Sequence, residues 1–299
     1  MSGEHQRRLN KASVVAADAD KPITAAILTK HGKAQVLAPL FHQQLGWQLR
    51  GSDGFDTDKL GMFSGEIPRT MTPLECATEK AQLALAHSDA EFGLGSEGSF
   101  NSTYFGLMVM NQELLVLRHR HSNFTVVASA QRPVAAVQRQ CRTITQMNAY
   151  IDALPPGQKF IAEMVAPETA KTRVAKGLSA LSELLQQLPE VRVSSDNEPL
   201  QHAVTLSWDF RAHNCPERQQ TIARAGEDLL RRLQHYCPHC ECPNFVAEPY
   251  EKGLPCEVCG SPTQQWRSQR ALCQQCGYAH ISALEPTTAA PDLCDFCNP

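Results

Sequence analysis

Cys237-Pro-His-Cys240, Cys256-Glu-Val-Cys259, Cys273-Gln-Gln-Cys276 and Cys294-Asp-Phe-Cys297 are four Cys-x-x-Cys pairs separated by 15, 13 and 17 residues. Eight thiolates suffice for two closed tetrahedral zinc sites, because each pair can grip one side of a Zn²⁺ ion through a short reverse turn. Gly260 and Gly277 follow the second and third pairs, where such a knuckle often needs positive φ. A disulfide framework is the competing reading, but it belongs to secreted chains, and the opening MSGEHQRRLNKASVV carries no apolar signal core. A thioredoxin-like redox pair would sit at a strand-to-helix turn, whereas these pairs lie in a stretch punctuated by Pro and Gly. Cys237, Cys240, Cys256, Cys259, Cys273, Cys276, Cys294 and Cys297 are therefore expected to hold two structural zinc ions, with Cys242 and His239 as bystanders. Consecutive pairing would give two tandem ribbons. Nested pairing would put Cys256, Cys259, Cys273 and Cys276 in one ribbon closed by the outer pairs. Neither leaves a coordination position open for chemistry, so the metals should supply folding energy to a segment too short for a large core.

Outward from this module, the 299-residue chain has 42% hydrophobic residues and a net charge of −3, which suits one sizeable domain plus the zinc-ribbon tail. No apolar run of membrane-spanning length occurs, so no membrane partner is expected. The near-neutral balance removes the simplest argument for a nucleic-acid tracking domain. Cys76, Cys141 and Cys215 are scattered and read as reduced, buried small residues, and a reducing cytoplasm fits the whole set.

Residues 1–21 are polar with no sustained apolar period and read as a disordered tail. Ile23-Thr-Ala-Ala-Ile-Leu28 predicts a strand, followed by the loop Thr29-Lys-His-Gly-Lys33 and a helix with Val36, Leu37, Leu40 and Phe41 on one face. Thr72-Pro-Leu-Glu75 opens a second helix, with Ala77, Ala81 and Ala84 at helical spacing. A strand 91–95 then leads into a Gly95-Ser-Glu-Gly-Ser loop. Two runs, 104–110 and 113–117, read as a hairpin turning at Asn111-Gln112. Helices are expected near 134–152 and 174–188, and strands at 159–165 and 203–210. Asn214 can cap a last helix whose stripe Ile222, Ala225, Leu229 and Leu233 runs to the first knuckle. The expected organisation is an α/β domain over 22–214, with a mixed sheet flanked by helices, a connecting helix over 215–236, and the zinc-ribbon module over 237–299.

The order of Thr29-Lys-His-Gly-Lys33, Phe63-Ser-Gly-Glu-Ile67, Glu75-Cys-Ala-Thr-Glu-Lys-Ala81 and Gly95-Ser-Glu-Gly98 resembles the nucleotide pyrophosphatases that hydrolyse inosine and xanthosine triphosphates. The resemblance covers residues 23–120. In that superfamily a first loop with Ser/Thr, Asn and Lys meets the phosphates, a helix carries Glu-x-Ala-x-x-Lys/Arg-Ala, and an acidic-Gly motif at a strand end serves magnesium. The first loop here departs from the pattern, with His31 in place of Asn and one residue fewer before Lys33. The chain as a whole also resembles an uncharacterised bacterial family of unknown function that joins such a domain to a zinc-ribbon tail, a likeness that carries no activity.

The resemblance implies magnesium-dependent hydrolysis of a nucleotide or related phosphorylated small molecule, with Glu75 and Glu97 holding the metal and Thr29 and Lys33 on the phosphates. Cleaving a phosphoanhydride needs a divalent metal, carboxylates to hold it and cations to position the phosphates. Glu75 and Glu79 share a helix face, though Glu75 also completes a capping box with Thr72. Glu97 lies between glycines that permit close approach to a ligand. Lys80 lies about 140° around the helix from Glu75 and is a weaker phosphate candidate. Arg211 and Arg218 flank a strand-to-helix junction suited to anions, and the competing reading is an Arg–Asp lock. Asp56 and Asp58 could add oxygens or simply be a solvated turn. The alternative function is a non-enzymatic, nucleotide-sensing adaptor whose ribbon binds protein or nucleic acid through a face around Trp266, Arg267 and Arg270. A cleft joining Glu97 to Lys33 favours the enzyme.

Overall fold

Alternating Ala25/Ile27 and Ala26/Leu28 send apolar side chains to both sides of the first strand, so this strand must lie inside a sheet covered on both faces. The computed structural model describes residues 9–14, 22–29, 32–52, 71–103, 108–135, 137–165, 171–191 and 195–299. Strand β1 (Thr24–Leu28) runs into α1 (Lys33–Leu45) and returns as β2 (Gln48–Ser52), parallel to β1. Helix α2 (Pro73–Ala86) precedes β3 (Phe92–Thr103), which pairs parallel to β1 on its other side. Strands β4 (Met108–His119) and β5 (Thr125–Val134) continue antiparallel, giving a mixed five-stranded sheet of order β2-β1-β3-β4-β5.

Its two faces are packed differently. Ile27, Leu94, Leu115 and Leu117 face α1, through Leu37 and Phe41, and the later helix α5. On the opposite face α2 lies so close that small residues are required: Ala77 and Ala81 pack on Val116, and Ala84 on Ala26 and Leu28. A Cβ on Gly95 would collide with the Ala77 carbonyl, and one on Gly93 with that of Ala81. The glycines read as a ligand loop are therefore the seat of α2, and β3 runs unbroken through Gly95, Glu97 and Gly98.

Strand β6 (Gln138–Cys141), helix α3 (Ile144–Asp152), β7 (Phe160–Val165), β8 (Thr172–Leu178), helix α4 (Leu181–Gln187) and β9 (Val204–Trp208) form a second sheet, order β6-β9-β7-β8, antiparallel throughout. It has its own core around Met147, Phe160, Leu178 and Leu206. The described part of 22–214 thus holds two sheets and separate main clusters where one sheet was expected. The predicted helices near 134–152 and 174–188 are helical only in their second halves, because Gln138–Cys141 and Thr172–Leu178 find antiparallel partners. Asn111-Gln112 is not a turn either; both residues lie within β4, opposite Phe100 and Ser99.

Helix α5 (Pro216–Leu233) buries Ile222, Ala225, Leu229 and Leu233 as its stripe predicts, each large one stabilising by about 1.5–3 kcal/mol. Asn214 does not cap it: its amide donates to Asp209 Oδ2 at 2.8 Å, and no side chain caps the helix at Cys215. The helix is more than a connector, since it covers the face of the first sheet. Strands β10 (Ala247–Lys252), β11 (Trp266–Leu272) and β12 (Ala279–Ala283) form the antiparallel sheet of the cysteine-rich module. Cys237, Cys242 and Cys273 belong to the same apolar cluster as α1, α5 and β3, so this module is fused to the first domain's core.

The expectation of a disordered tail over 1–21 fails for residues 9–14. Leu9 and Val14 are buried in that cluster, Trp47 Nε1 donates to the Val14 carbonyl at 2.9 Å, and the Leu9 amide donates to Gln275 Oε1 at 2.9 Å. Two apolar residues and two backbone groups anchor a segment too short to show a period. Among the described residues no helix is long and apolar enough to cross a membrane.

Candidate functional site

The order β2-β1-β3 reverses direction at β1: the chain leaves β1 through α1 on one face and reaches β3 from α2 on the other. In open sheets of this kind the crevice at the carboxyl end of such a strand is where ligands bind. β3 runs past the end of β1, whose last residue is Leu28, and carries Ser96 and Glu97 into that region. Lys33, first residue of α1, is buried there; its Nζ donates to Ser96 Oγ at 2.9 Å and lies 3.4 Å from Glu113 Oε2. Arg218 of α5 donates from Nε to Glu113 Oε1 at 2.6 Å and from Nη1 to the Phe210 carbonyl at 2.6 Å. On the α2 side Lys80 Nζ meets Glu97 Oε2 at 2.5 Å, with the Cys76 thiol 3.7 Å from the same oxygen.

Among the described residues, Lys33 and Arg218 with Glu113 on one face of β3–β4, and Lys80 with Glu97 on the other, thus form a largely buried network at this end of the sheet. Burial pushes the Lys33 ammonium down to about 8, and although Glu113 opposes this, Arg218 and Lys80 add to it. Burial also resists ionisation of Glu113, but Lys33 and then Arg218 outweigh it and hold the carboxyl below its ordinary value. An anion bound beside Lys33 would favour its charged form. Gly98 makes room for the network, since a Cβ there would strike Arg218 Nη2 and Glu113 Oε1.

Of the predicted site residues, the fold brings together Lys33, Lys80, Glu97 and Arg218. Glu75 stands apart and exposed, closing the helix cap: its Oε2 accepts from the Thr72 amide and hydroxyl, both at 2.8 Å. Those two bonds hold its carboxyl below the usual value. Arg211 also goes elsewhere, locked on Asp209 by Nε–Oδ1 at 3.0 Å and Nη2–Oδ2 at 2.6 Å. Thr29 ends the described stretch after β1, while Lys30, His31, Asp56, Asp58 and the Phe63–Ile67 motif lie outside the described residues. Sequence reasoning missed Glu113, hidden by the false turn at 111–112. Its signal was a carboxylate at the core-facing register of Glu113, Leu115 and Leu117.

The cysteine pairs assemble in neither expected way. Cys237 and Cys240 join Cys273 and Cys276, and Cys256 and Cys259 join Cys294 and Cys297, so first meets third and second meets fourth. Strands β10 and β11 lie between these pairs in sequence and pair with each other, which interlocks the two sites. The sulfur separations of 3.6, 3.5, 3.9 and 3.7 Å match the edge of roughly 3.8 Å that a ZnS₄ tetrahedron with bonds of about 2.3 Å requires. The two clusters could therefore hold zinc. All four knuckles close by the same turn, an amide four residues on bonding the carbonyl of the first cysteine. Gly260 and Gly277 have φ of 71° and 74° as expected, and Glu241 takes φ 57° at the matching place after the first pair. Cys242 is buried in the same apolar cluster as Cys237 and Cys273 but is not one of the four thiols grouped there, in keeping with a bystander. A cleft of about 210 Å³ lies between α5 and β10–β11, lined by Arg232, Glu248, Tyr250 and Arg270 among others. It is separate from the charged network.

Residues 80–299 match the family described as a domain of unknown function (DUF6671), about three-quarters of the chain. No curated protein and no solved structure matches.

Proposed function

We propose, for a chain that belongs to the DUF6671 family, that the first α/β domain binds the phosphates of a nucleotide or related phosphorylated small molecule at the carboxyl end of β1. Hydrolysis of that ligand is the activity to test first. The observation that supports this is the gathering of Lys33, Lys80 and Arg218 about Glu97 and Glu113 where the strand order reverses. A bound phosphate would draw Lys33 and Arg218, and Lys80 can turn from Glu97 to an incoming oxygen. Two structural zinc ions complete the reading, one in each cysteine cluster.

The described carboxylates alone do not suit magnesium. Glu97 pairs across the sheet with Leu114 and so lies on the opposite face from Glu113, and each is already engaged by cations. No group of three carboxylate or histidine ligands occurs among the described residues. Further oxygens would have to come from outside them, where Asp56, Asp58 and Glu66 lie. The test is a nucleotide panel assayed for pyrophosphate release with and without Mg²⁺, beside calorimetric titration with pyrophosphate. Turnover lost in Glu97→Gln supports hydrolysis. No pyrophosphate binding at all sinks the phosphate reading.

Binding without turnover would favour the second reading, a nucleotide-sensing adaptor. It is supported by the cation–ring pairs of the module's sheet, Arg270 4.2 Å from the Tyr250 ring and Lys252 5.3 Å from that of Trp266. Residues 237–299 nevertheless carry seven acidic and three basic side chains, which favours a protein partner over nucleic acid.

A further inference from the structure

The two cysteine clusters share their knuckle geometry but not the fate of their tips. At the first, Gln275 Oε1 accepts from the Leu9 amide, Gln274 Oε1 from the Thr125 amide at 3.4 Å, and the His239 ring stacks on Tyr278 at 3.9 Å. Three of its four tip residues thus clasp this chain. At the second, the tip residues are Glu257, Val258, Asp295 and Phe296, with Leu293 just before Cys294. Val258 is 69% exposed, Phe296 77% and Leu293 47%, so the apolar side chains that a knuckle can present face solvent.

We propose that Val258, Phe296 and Leu293 form a docking surface for a short basic segment of another protein, anchored by apolar side chains. The inference stands independently of the phosphate reading. Val258 and Phe296 each precede a ligand of one four-cysteine cluster, so the two knuckles that carry them are held together at that cluster. Charge selects the partner: segments 253–265 and 286–299 contain Glu257, Asp292 and Asp295 and no Lys, Arg or His. All three carboxylates are on exposed residues, and a tetrathiolate zinc adds two further negative charges. Lysines or arginines beside one or two apolar anchors complement this surface, whereas a nucleic acid is repelled. Size selects a segment over a second copy. An aromatic side chain buries about 150–250 Å² and a stable interface needs about 800 Å² per partner, more than these three side chains provide.

The test uses the full zinc-loaded chain and three probes: a twelve-residue amphipathic Leu/Lys peptide, its Leu/Glu counterpart, and a single-stranded oligothymidine. Amide chemical shifts should move at 256–260 and 293–297 with the Leu/Lys peptide and not with the other two. The double variant Val258→Ser/Phe296→Ser should weaken that binding at least tenfold with zinc content unchanged. Asp292→Asn/Asp295→Asn should weaken it severalfold and reduce its salt dependence. The proposal is overturned if the Leu/Lys peptide fails to bind or binds the double variant equally well. Equal binding of the Leu/Glu peptide or oligothymidine at this patch overturns it too, as does sedimentation showing a dimer that the double variant abolishes.

Discussion

Lys33 should make stability rise with pH in a range where most proteins lose it. Its ammonium is pushed down to about 8 from 10.5 because burial removes its hydration, only partly offset by Glu113. A lysine whose folded value is lowered weakens the fold while it is charged. Below about 8 it is charged in both states and the full cost applies. Between about 8 and 10.5 the native state sheds a proton that the unfolded chain keeps, so stability climbs. The gap corresponds to about 3 kcal/mol, most of it gained by pH 10. Urea unfolding at fixed zinc from pH 7 to 10 should show the native chain gaining this amount on Lys33→Met, which keeps the length of the side chain without its charge. Saturating pyrophosphate, if it binds beside Lys33, should flatten the rise by holding the proton on. Parallel curves for the two proteins would refute the argument, because they would mean that Lys33 titrates alike folded and unfolded.

Three other outcomes follow from the same geometry. Glu113→Gln leaves Lys33 and Arg218 buried without their shared counter-charge and should cost about 3–5 kcal/mol in urea unfolding; a loss below about 1 kcal/mol would mean that water reaches the network. Gly95→Ala drives a methyl group into the Ala77 carbonyl and should destabilise by about 1–3 kcal/mol or more as α2 lifts, read as a fall in Tm. Cys237→Ser and Cys259→Ser should each reduce zinc from two to one by elemental analysis, but only the first should lower the Tm of the main domain, since only that cluster lies in its core; equal effects would contradict the shared core.

What could be read in the sequence is what local periodicity encodes. Strand β1, the faces of α1 and α2, and the stripe of α5 all follow from residues three or four apart, or two apart. The cysteine ligands follow from spacing alone. Their pairing does not, because it depends on β10 and β11 meeting between residues 14 to 24 positions apart. The same limit hid the second sheet: β6 and β8 are short and polar, and become strands only by pairing with β9 and β7. Gly95 and Gly98 carried a true signal of close approach with the wrong neighbour, a helix and an ion pair in place of a ligand. Glu97 was found for its glycines and Glu113 was not, although both lie in the network.

The helix that covers the first sheet is encoded about a hundred residues after that sheet is complete. Strand β5 ends at Val134, while the stripe that shields Leu115, Leu117 and Val126 runs to Leu233. At about 5–20 residues per second, a ribosome leaves this greasy face uncovered for roughly 5–20 s. The second sheet is made wholly within that interval and can close on its own core. Leu9 then waits for Gln275, 266 positions downstream, before its amide is satisfied. The part of the chain born first is therefore the last to mature, and nascent chains halted near residue 210 should keep a protease-sensitive amino-terminal half until the cysteine-rich end arrives to close it.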